Sequence, residues 1–151
     1  MLYILIILVT LVLDRVTKMT IVHKMTLTDS IPVIKNFFYI TYWENKGAAW
    51  GILQNGRWIF IIITFLVSII LIGILIKSRN KIMSTALSLI ISGAFGNLID
   101  RVLRGSVTDF LDFKIFGYDF PIFNVADMCV VIGTFILAYF LLFVYEEKER
   151  E

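Results

Sequence analysis

The stretch Trp58–Ile76, WIFIIITFLVSIILIGILI, decides the fold, because it runs for 19 residues without a charged side chain. At roughly 1.5 Å rise per residue, a helix of this length covers about the thickness of a bilayer's hydrocarbon region. The rest of the chain is also apolar, since 59% of its 151 residues are hydrophobic and its mean hydropathy is +0.88. A soluble domain of this size needs less apolar surface for one core. The sequence therefore predicts an integral membrane protein.

Three further apolar stretches complete a prediction of four transmembrane helices, at residues 1–22, 58–76, 82–103 and 125–145. The first stretch carries Asp14, Arg15 and Lys18. It has neither the basic start nor the small-residue cleavage pattern of a removable signal peptide, so we expect it to be a permanent helix. We expect one membrane domain, 1–151, that is all-α except for a small β element.

The connection between the second and third predicted helices indicates the orientation. It contains Lys77, Arg79 and Lys81 and no acidic residue, which favours the cytoplasmic side of the membrane. Both chain termini are then predicted to be cytoplasmic, and the connections 23–57 and 104–124 to lie outside. The outer connections hold as many basic residues in total, so this orientation depends on the local density of charge.

The two outer connections contain segments typical of β-strands. Residues 37–43, FFYITYW, are aromatic and β-forming and lie between Pro32 and Gly47, which predicts a strand or hairpin. The second connection has a similar segment. We expect a small sheet at the outer membrane interface. It could bind a substrate by strand addition, or its aromatic side chains could only anchor the protein, and the sequence leaves both open.

Composition excludes several kinds of catalytic site. With His23 as its one histidine, the chain cannot supply the paired histidines of a zinc metalloprotease. The one cysteine, Cys129, can form no internal disulfide and is expected to be packed and inert. The chain has no Gly-x-Ser-x-Gly turn, no phosphate-binding glycine loop and no basic aromatic patch suited to nucleic acid. We expect no metal or cofactor. A Ser/Lys pair with Lys18 stays open, and carboxylate chemistry is favoured.

Five aspartates fall at the outer ends of the last two helices: Asp100, Asp109, Asp112, Asp119 and Asp127. Two close carboxylates cannot both ionise cheaply, so such a pair keeps one proton. The ionised member can take a proton from water attacking a carbonyl carbon, while the protonated member donates to the carbonyl oxygen. Asp109 and Asp127 lie beside apolar stretches, where an ionised carboxylate is costly, and this placement suggests acid/base chemistry at a membrane face.

Several of these polar residues also have an explanation in which they only stabilise the fold. Asn124 and Asp127 have the spacing of an N-cap and an acidic residue in the first turn of a helix. Asp14 and Lys18, four residues apart, are suited to an ion pair, which either orders the helix or touches substrate.

A second architectural explanation concerns the third helix. Asn97 and Arg101 share a helical face and Asp100 lies beside them, so a local ion-pair cluster would explain these residues, and for Asp100 and Arg101 we prefer a structural role. Gly93 and Gly96 are expected to let another helix approach closely.

Five motifs in order carry a resemblance to a known family. The motifs are Asp14 with Thr17 and Lys18, then Asn45–Gly51 (NKGAAWG), Gly96–Arg101 (GNLIDR), Gly105–Phe110 (GSVTDF) and Phe120–Asp127 (FPIFNVAD). With these motifs the chain closely resembles lipoprotein signal peptidase, also called signal peptidase II, the aspartyl peptidase of bacterial inner membranes. The resemblance covers nearly the whole length.

The resemblance implies a substrate, a site and a location. The substrate would be a prolipoprotein whose signal peptide is cut just before a cysteine that already bears diacylglycerol. Asp109 and Asp127 would be the catalytic pair, whereas Asp112 and Asp119 fall outside the family positions. The departures from the family pattern, Arg15, Trp50 and Thr108, leave the chemistry intact. Asn45, Gly47, Asn97, Arg101 and Asn124 match positions that line or brace the site, and Asp14, Lys18 and Asp100 would be structural.

Two other classes of protein remain as alternatives. One is a small ion-coupled transporter or channel subunit, in which intramembrane polar residues would form a permeation path. The other is a non-catalytic membrane scaffold. Four helices with one site need no partner subunit, so we expect a monomer in contact with membrane lipid.

Overall fold

The computed structural model describes residues 1–47, 53–54 and 56–145. Residues 48–51 of the second motif, including Trp50, and the charged tail 146–151 lie outside the described residues. The helices are α1 (Leu2–Lys24), α2 (Arg57–Lys77), α3 (Lys81–Arg104) and α4 (Val125–Tyr139), and a π-helix, Phe140–Tyr145, continues α4. The strands are β1 (Ser30–Ile34), β2 (Phe38–Asn45), β3 (Val107–Ile115) and β4 (Tyr118–Asp119).

Three helices in the described part of the chain are long and apolar enough to cross a membrane. They are α2, α3 and α4 with its π-helical extension, with mean hydropathies of 3.3, 1.7 and 2.4. The predicted fourth span corresponds to α1, which is not among these three helices. Helix α1 has 23 residues but carries charges in its second half. Because Asp14 and Lys18 are each only 1% exposed, α1 turns these charges inward and its apolar side chains outward.

Helix α3 is the centre of the bundle and packs against α1, α2 and α4. Glycines allow its closest approaches. A Cβ on Gly93 would lie 2.2 Å from the carbonyl oxygen of Ala126 on α4, and one on Gly96 would lie 2.6 Å from Asp14 Oδ2 on α1. Both predicted close approaches are confirmed, and they fix where α1, α3 and α4 meet.

The ends of α3 follow from local sequence. The Asn80 side chain accepts hydrogen bonds from the backbone N–H groups of Ile82 and Met83, which caps the first turn. Gly105 ends the helix at φ +83°, a left-handed conformation that glycine adopts without a Cβ penalty. The chain then turns directly into β3.

The strands form one antiparallel sheet in the order β1-β2-β3-β4, and this confirms the predicted small sheet. Its register shifts between Ile40 and Trp43, after which Trp43 pairs with Asp109. The segment before α4 is tied to the sheet, because the N–H groups of Phe110 and Leu111 both donate to the Phe123 carbonyl, at 3.0 and 2.8 Å. These hydrogen bonds therefore place β3 beside the N-terminus of α4.

Candidate active site

The sheet and the helix bundle meet at Asp109 and Asp127. Asp109 is the third residue of β3, and Asp127 lies in the first turn of α4. The hydrogen bonds of Phe123 to β3 hold these two elements side by side. Asp109 is 2% exposed, whereas Asp127 is only partly buried.

Two asparagine amides connect the carboxylates. Asn124 Nδ2 donates to Asp109 Oδ1 at 2.5 Å, and Asn97 Nδ2 donates to Asp127 Oδ1 at 2.7 Å. The amides also contact each other, because Asn124 Nδ2 lies 3.2 Å from Asn97 Oδ1. Asn45 Nδ2 donates to the other oxygen, Asp109 Oδ2, at 3.0 Å. Three residues of the sequence-predicted site thus lie around the predicted pair.

The N-cap explanation of Asn124 and Asp127 is confirmed. Asp127 N–H donates to Asn124 Oδ1 at 3.0 Å, and Asn124 N–H donates to Asp127 Oδ2 at 3.1 Å, which forms a capping box. The cap engages only Oδ2 of Asp127, and Oδ1 faces Asn97. Capping and site geometry are therefore compatible.

Burial and a neighbouring charge change the acidity of Asp109. Loss of hydration on burial, followed by the negative charge of Asp127, raises the pKa of the Asp109 carboxyl to about 7, against the lowering effect of the amides of Asn45 and Asn124. A carboxyl with this pKa exchanges a proton near neutral pH. It can therefore act as an acid in one step and as a base in the next.

Arg101 borders the site on α3. Its guanidinium donates to the Gly47 carbonyl at 3.3 Å and lies 4.8 Å from the centre of the Phe60 ring. This contact with the ring is a cation–π interaction. Arg101 thereby ties the segment after β2 and the start of α2 to α3.

The local cluster suggested for Asn97, Asp100 and Arg101 takes a different form. Asp100 is fully buried and pairs across the helices with Arg15 and Lys18 of α1 rather than with its neighbour Arg101. Asp100 lies on the face of α3 that packs against α1, and its side chain therefore meets Arg15 and Lys18. A structural role for Asp100 stays a prediction, with Arg15 and Lys18 as its partners in place of Arg101.

The pair Asp14 and Lys18 is confirmed, with Lys18 Nζ 2.9 Å from Asp14 Oδ2. Asp14 Oδ1 also accepts the backbone N–H of Ala126 at 2.9 Å, so α1 holds the first turn of α4. Lys18 Nζ donates to Asn97 Oδ1 at 2.9 Å. These contacts use Lys18 without a serine and give no support to the Ser/Lys pair.

The remaining candidates lie apart from this centre. Asp112 Oδ2 accepts a hydrogen bond from Thr41 at 2.7 Å, within the sheet. Asp119 pairs with Lys114 at 3.4 Å and its side chain is 77% exposed. Cys129 is a buried free thiol. No group of three or more His, Cys, Asp or Glu side chains in residues 1–47, 53–54 and 56–145 is arranged to hold a metal ion.

A cleft of about 520 Å³ leads from the carboxylates into the helix bundle. Its polar end contains Asn97, Arg101, Asp109 and Asp127, and its length is lined by apolar residues of α2, α3 and α4. The sequence patterns did not single out these wall residues or the ring of Phe60. On α2 the cleft is lined by Ile63, Val67 and Leu71, which recur every four residues. This helical spacing is the sequence pattern that could have identified them as one face of α2.

Comparison with protein families gives one match over most of the chain. The family model described as signal peptidase (SPase) II matches residues 6–143. A lipoprotein signal peptidase of Staphylococcus carnosus (strain TM300) is 49% identical over 135 residues, which are 88% of this chain and 85% of that protein. A lipoprotein signal peptidase of Halalkalibacterium halodurans is 44% identical over 156 residues, covering 100% of this chain and 97% of that protein.

Two solved structures have the same architecture. Both are described as bacterial membrane enzymes solved by the in meso method. One superposes with a TM-score of 0.88 at 43% identity and covers 99% of this chain and 91% of its own. The other has a TM-score of 0.86 at 47% identity and covers 93% and 92%.

Proposed function

The chain belongs to the signal peptidase II family, and we propose that it cleaves prolipoproteins with Asp109 and Asp127 as an aspartic catalytic pair. It is a multi-pass membrane protease that removes signal peptides from prolipoproteins. The observation that carries the aspartic assignment is the pair of amides, Asn97 and Asn124, that bind both carboxylates in one hydrogen-bonded group.

The pair would share one proton during hydrolysis. The ionised carboxylate takes a proton from water as the oxygen attacks the scissile carbonyl, and the protonated carboxyl donates to the carbonyl oxygen. When the tetrahedral intermediate collapses, a carboxyl passes a proton to the leaving nitrogen. The raised pKa of Asp109 supports this exchange near neutral pH. The route needs neither a covalent intermediate nor a metal.

The cleft gives a reason for a lipidated substrate. Its polar end carries the carboxylates, and its apolar wall on α2 and α4 includes Ile63, Val67 and Val130. Diacylglycerol chains on the substrate cysteine would lie against this wall, because contact with apolar side chains keeps the apolar chains out of water. The peptide bond on the amino side of that cysteine would then reach Asp109 and Asp127.

Four neighbouring residues would brace the site. Asn45 and Asn124 hold Asp109, and Asn97 holds Asp127. Arg101 contacts the Gly47 carbonyl, so it would fix the segment after β2 against the cleft. These roles follow from hydrogen bonds to the catalytic pair or to the cleft wall.

We further propose that the protein lies in the bacterial inner membrane as a monomer with both termini cytoplasmic. The basic link Lys77–Lys81 supports this orientation. Helix α1 would be a fourth span, since its apolar side chains face outward and Asp14 and Lys18 face α3 and α4. The sheet and the carboxylates would lie at the outer membrane face, with exposed Phe37 and Phe116 among the interfacial aromatics.

The test is cleavage of a precursor by purified enzyme in detergent. The wild type should convert a diacylglyceryl-modified precursor to the faster-migrating product and should leave the unmodified precursor intact. Asp109→Asn and Asp127→Asn should abolish conversion while the thermal unfolding temperature stays close to that of the wild type, because each substitution preserves shape and removes the proton exchange.

Two control variants sharpen this test. Asp119→Asn removes an exposed carboxylate and should leave the rate unchanged. Cys129→Ala should also cleave normally, since a buried thiol outside the carboxylate group takes no part in the reaction. Normal turnover in Asp109→Asn or Asp127→Asn would refute the aspartic assignment. The comparisons give no support to a transporter or channel.

A further inference from the structure

A buried ammonium lies behind the catalytic pair. Lys18 on α1 is 1% exposed, and its Nζ has three close oxygens: Asp14 Oδ2 at 2.9 Å, Asp100 Oδ2 at 3.2 Å and Asn97 Oδ1 at 2.9 Å. An ammonium has three N–H donors and no acceptor, so all three oxygens are suited to it as partners. Two partners are carboxylates that neutralise its charge. The third is an amide that belongs to the proposed active site.

The contact with Lys18 fixes the direction in which the Asn97 amide points. Because Lys18 can only donate, Asn97 must present its oxygen to Lys18 and its NH₂ group to Asp127 Oδ1, at 2.7 Å. Without Lys18, the amide could turn over. Its oxygen would then face the carboxylate and repel it, and Asp127 would lose a donor.

The same amide oxygen connects Lys18 to the second carboxylate. Asn97 Oδ1 also accepts from Asn124 Nδ2 at 3.2 Å, and Asn124 Nδ2 donates to Asp109 Oδ1 at 2.5 Å. Through one oxygen, the ammonium is thus connected by hydrogen bonds to both members of the pair.

We propose that Lys18 is a positioning residue for peptide cleavage, which acts through the Asn97 amide to hold Asp127 and Asp109 in the arrangement that the reaction needs. This inference rests on the proposed function. It assigns Lys18 a part in the reaction beyond the structural role expected from its ion pair with Asp14.

The charge of Lys18 gives the proposal a second, measurable effect. The charged groups that act on Asp109 are Asp127 of α4, Lys18 of α1 and Arg101 of α3. The positive charge of Lys18 lowers the pKa of Asp109. Removal of Lys18 should therefore move the alkaline fall of activity to higher pH, and removal of a residue whose charge does not act on Asp109 would not produce this shift.

The experiment compares Lys18→Met with Arg15→Met in detergent. Lys18→Met should lower kcat by about 10- to 100-fold, as a misplaced catalytic group does, with KM within about threefold of the wild type. Its alkaline limb should move to higher pH. Arg15 also pairs with Asp100 but is not among the hydrogen-bond partners of Asn97 in the described chain. Arg15→Met should therefore keep kcat and the pH profile and lose only thermal stability.

A double variant tests the route through the amide. If Lys18 acts through Asn97, then Lys18→Met/Asn97→Ala should be no slower than Asn97→Ala alone, because the second substitution removes nothing further. Multiplicative losses in the double variant would overturn the proposal. So would a Lys18→Met enzyme with the wild-type kcat and pH profile.

A charge-balanced variant covers the case in which Lys18→Met does not fold. Asp14→Asn/Lys18→Met removes both charges and keeps an oxygen for the Ala126 N–H. It should show the same loss of kcat, because the Asn97 oxygen loses its ammonium partner in both variants. If neither variant folds while Arg15→Met does, Lys18 is structural and the proposal fails. Activity in Asp109→Asn or Asp127→Asn would instead refute the proposed function, so the two failures are distinguishable.

Discussion

Neutral amides, rather than cations, hold the two carboxylates. Asn45, Asn97 and Asn124 donate to Asp109 and Asp127 without adding charge to the site. A cation in direct contact would strongly favour the ionised form and remove the proton that the pair must exchange. Lys18 and its two carboxylate partners lie one amide further away. The site therefore orders the carboxylates and keeps the proton of Asp109 available near neutral pH.

The pH dependence of cleavage follows from Asp109. Its pKa is raised to about 7, so activity should fall as pH rises through about 7 and the shared proton is lost. Asn45→Ala removes a hydrogen bond that lowers this pKa, and its alkaline limb should therefore move to higher pH. The measurement is kcat/KM across the pH range, with Asp119→Asn as a control that keeps the wild-type profile. A flat profile through neutral and alkaline pH would contradict this assignment.

Individual residues differ in how far the sequence predicts them. The motifs singled out Asp109, Asp127 and three asparagines, which lie together in the structure. The partners of Asp100 were not predictable, because they depend on which face of α3 meets α1. The contact between Lys18 and Asn97 joins residues 79 positions apart, and no spacing rule reaches across two helices.

At the scale of elements, the position of α4 determines the site. Its first turn is held by its own capping box, by Asp14 of α1 through the Ala126 N–H, and by Gly93 of α3 through close contact. The apolar runs predicted α2, α3 and α4, because length and hydropathy suffice to identify helices of this kind. The register of β2 on β3 was not predictable, since its shift between Ile40 and Trp43 depends on tertiary pairing.

Gly93 should be intolerant of any side chain. A Cβ there would lie 2.2 Å from the Ala126 carbonyl, so Gly93→Ala must push α3 and α4 apart. We expect a loss of about 1–3 kcal/mol of unfolding free energy and a fall in kcat, because Asp127 moves with α4. Thermal unfolding and precursor cleavage in detergent measure both effects.

Gly73 on α2 is the matched control for this substitution. A Cβ there would meet nothing within 4 Å, so Gly73→Ala should keep wild-type stability and rate. Equal behaviour of the two alanine variants would show that the close packing of α3 on α4 does not support the site.

At the scale of the whole molecule, the polar residues point inward and the apolar residues outward. The ion pairs of α1 face α3, and the outward surfaces of α1, α2 and α4 are largely apolar. This arrangement is the reverse of that in a soluble protein and suits a protein surrounded by lipid. Its inward polar groups bind each other instead of water. Composition and the order of the motifs sufficed to predict the membrane class and the family. The residues that line the apolar cleft were not predicted, because they come from three helices and from the segment before α4.

The central claim is that Asp109 and Asp127 act as one unit, and single-turnover cleavage of a diacylglyceryl-modified precursor tests it most directly. Residues that act as a unit give non-additive losses, so each single substitution removes about as much activity as both together. We predict that Asp109→Asn, Asp127→Asn and the double variant, all folded, cleave at the same background rate. If either single variant cleaves the precursor faster than the double variant, the shared role of the pair is contradicted.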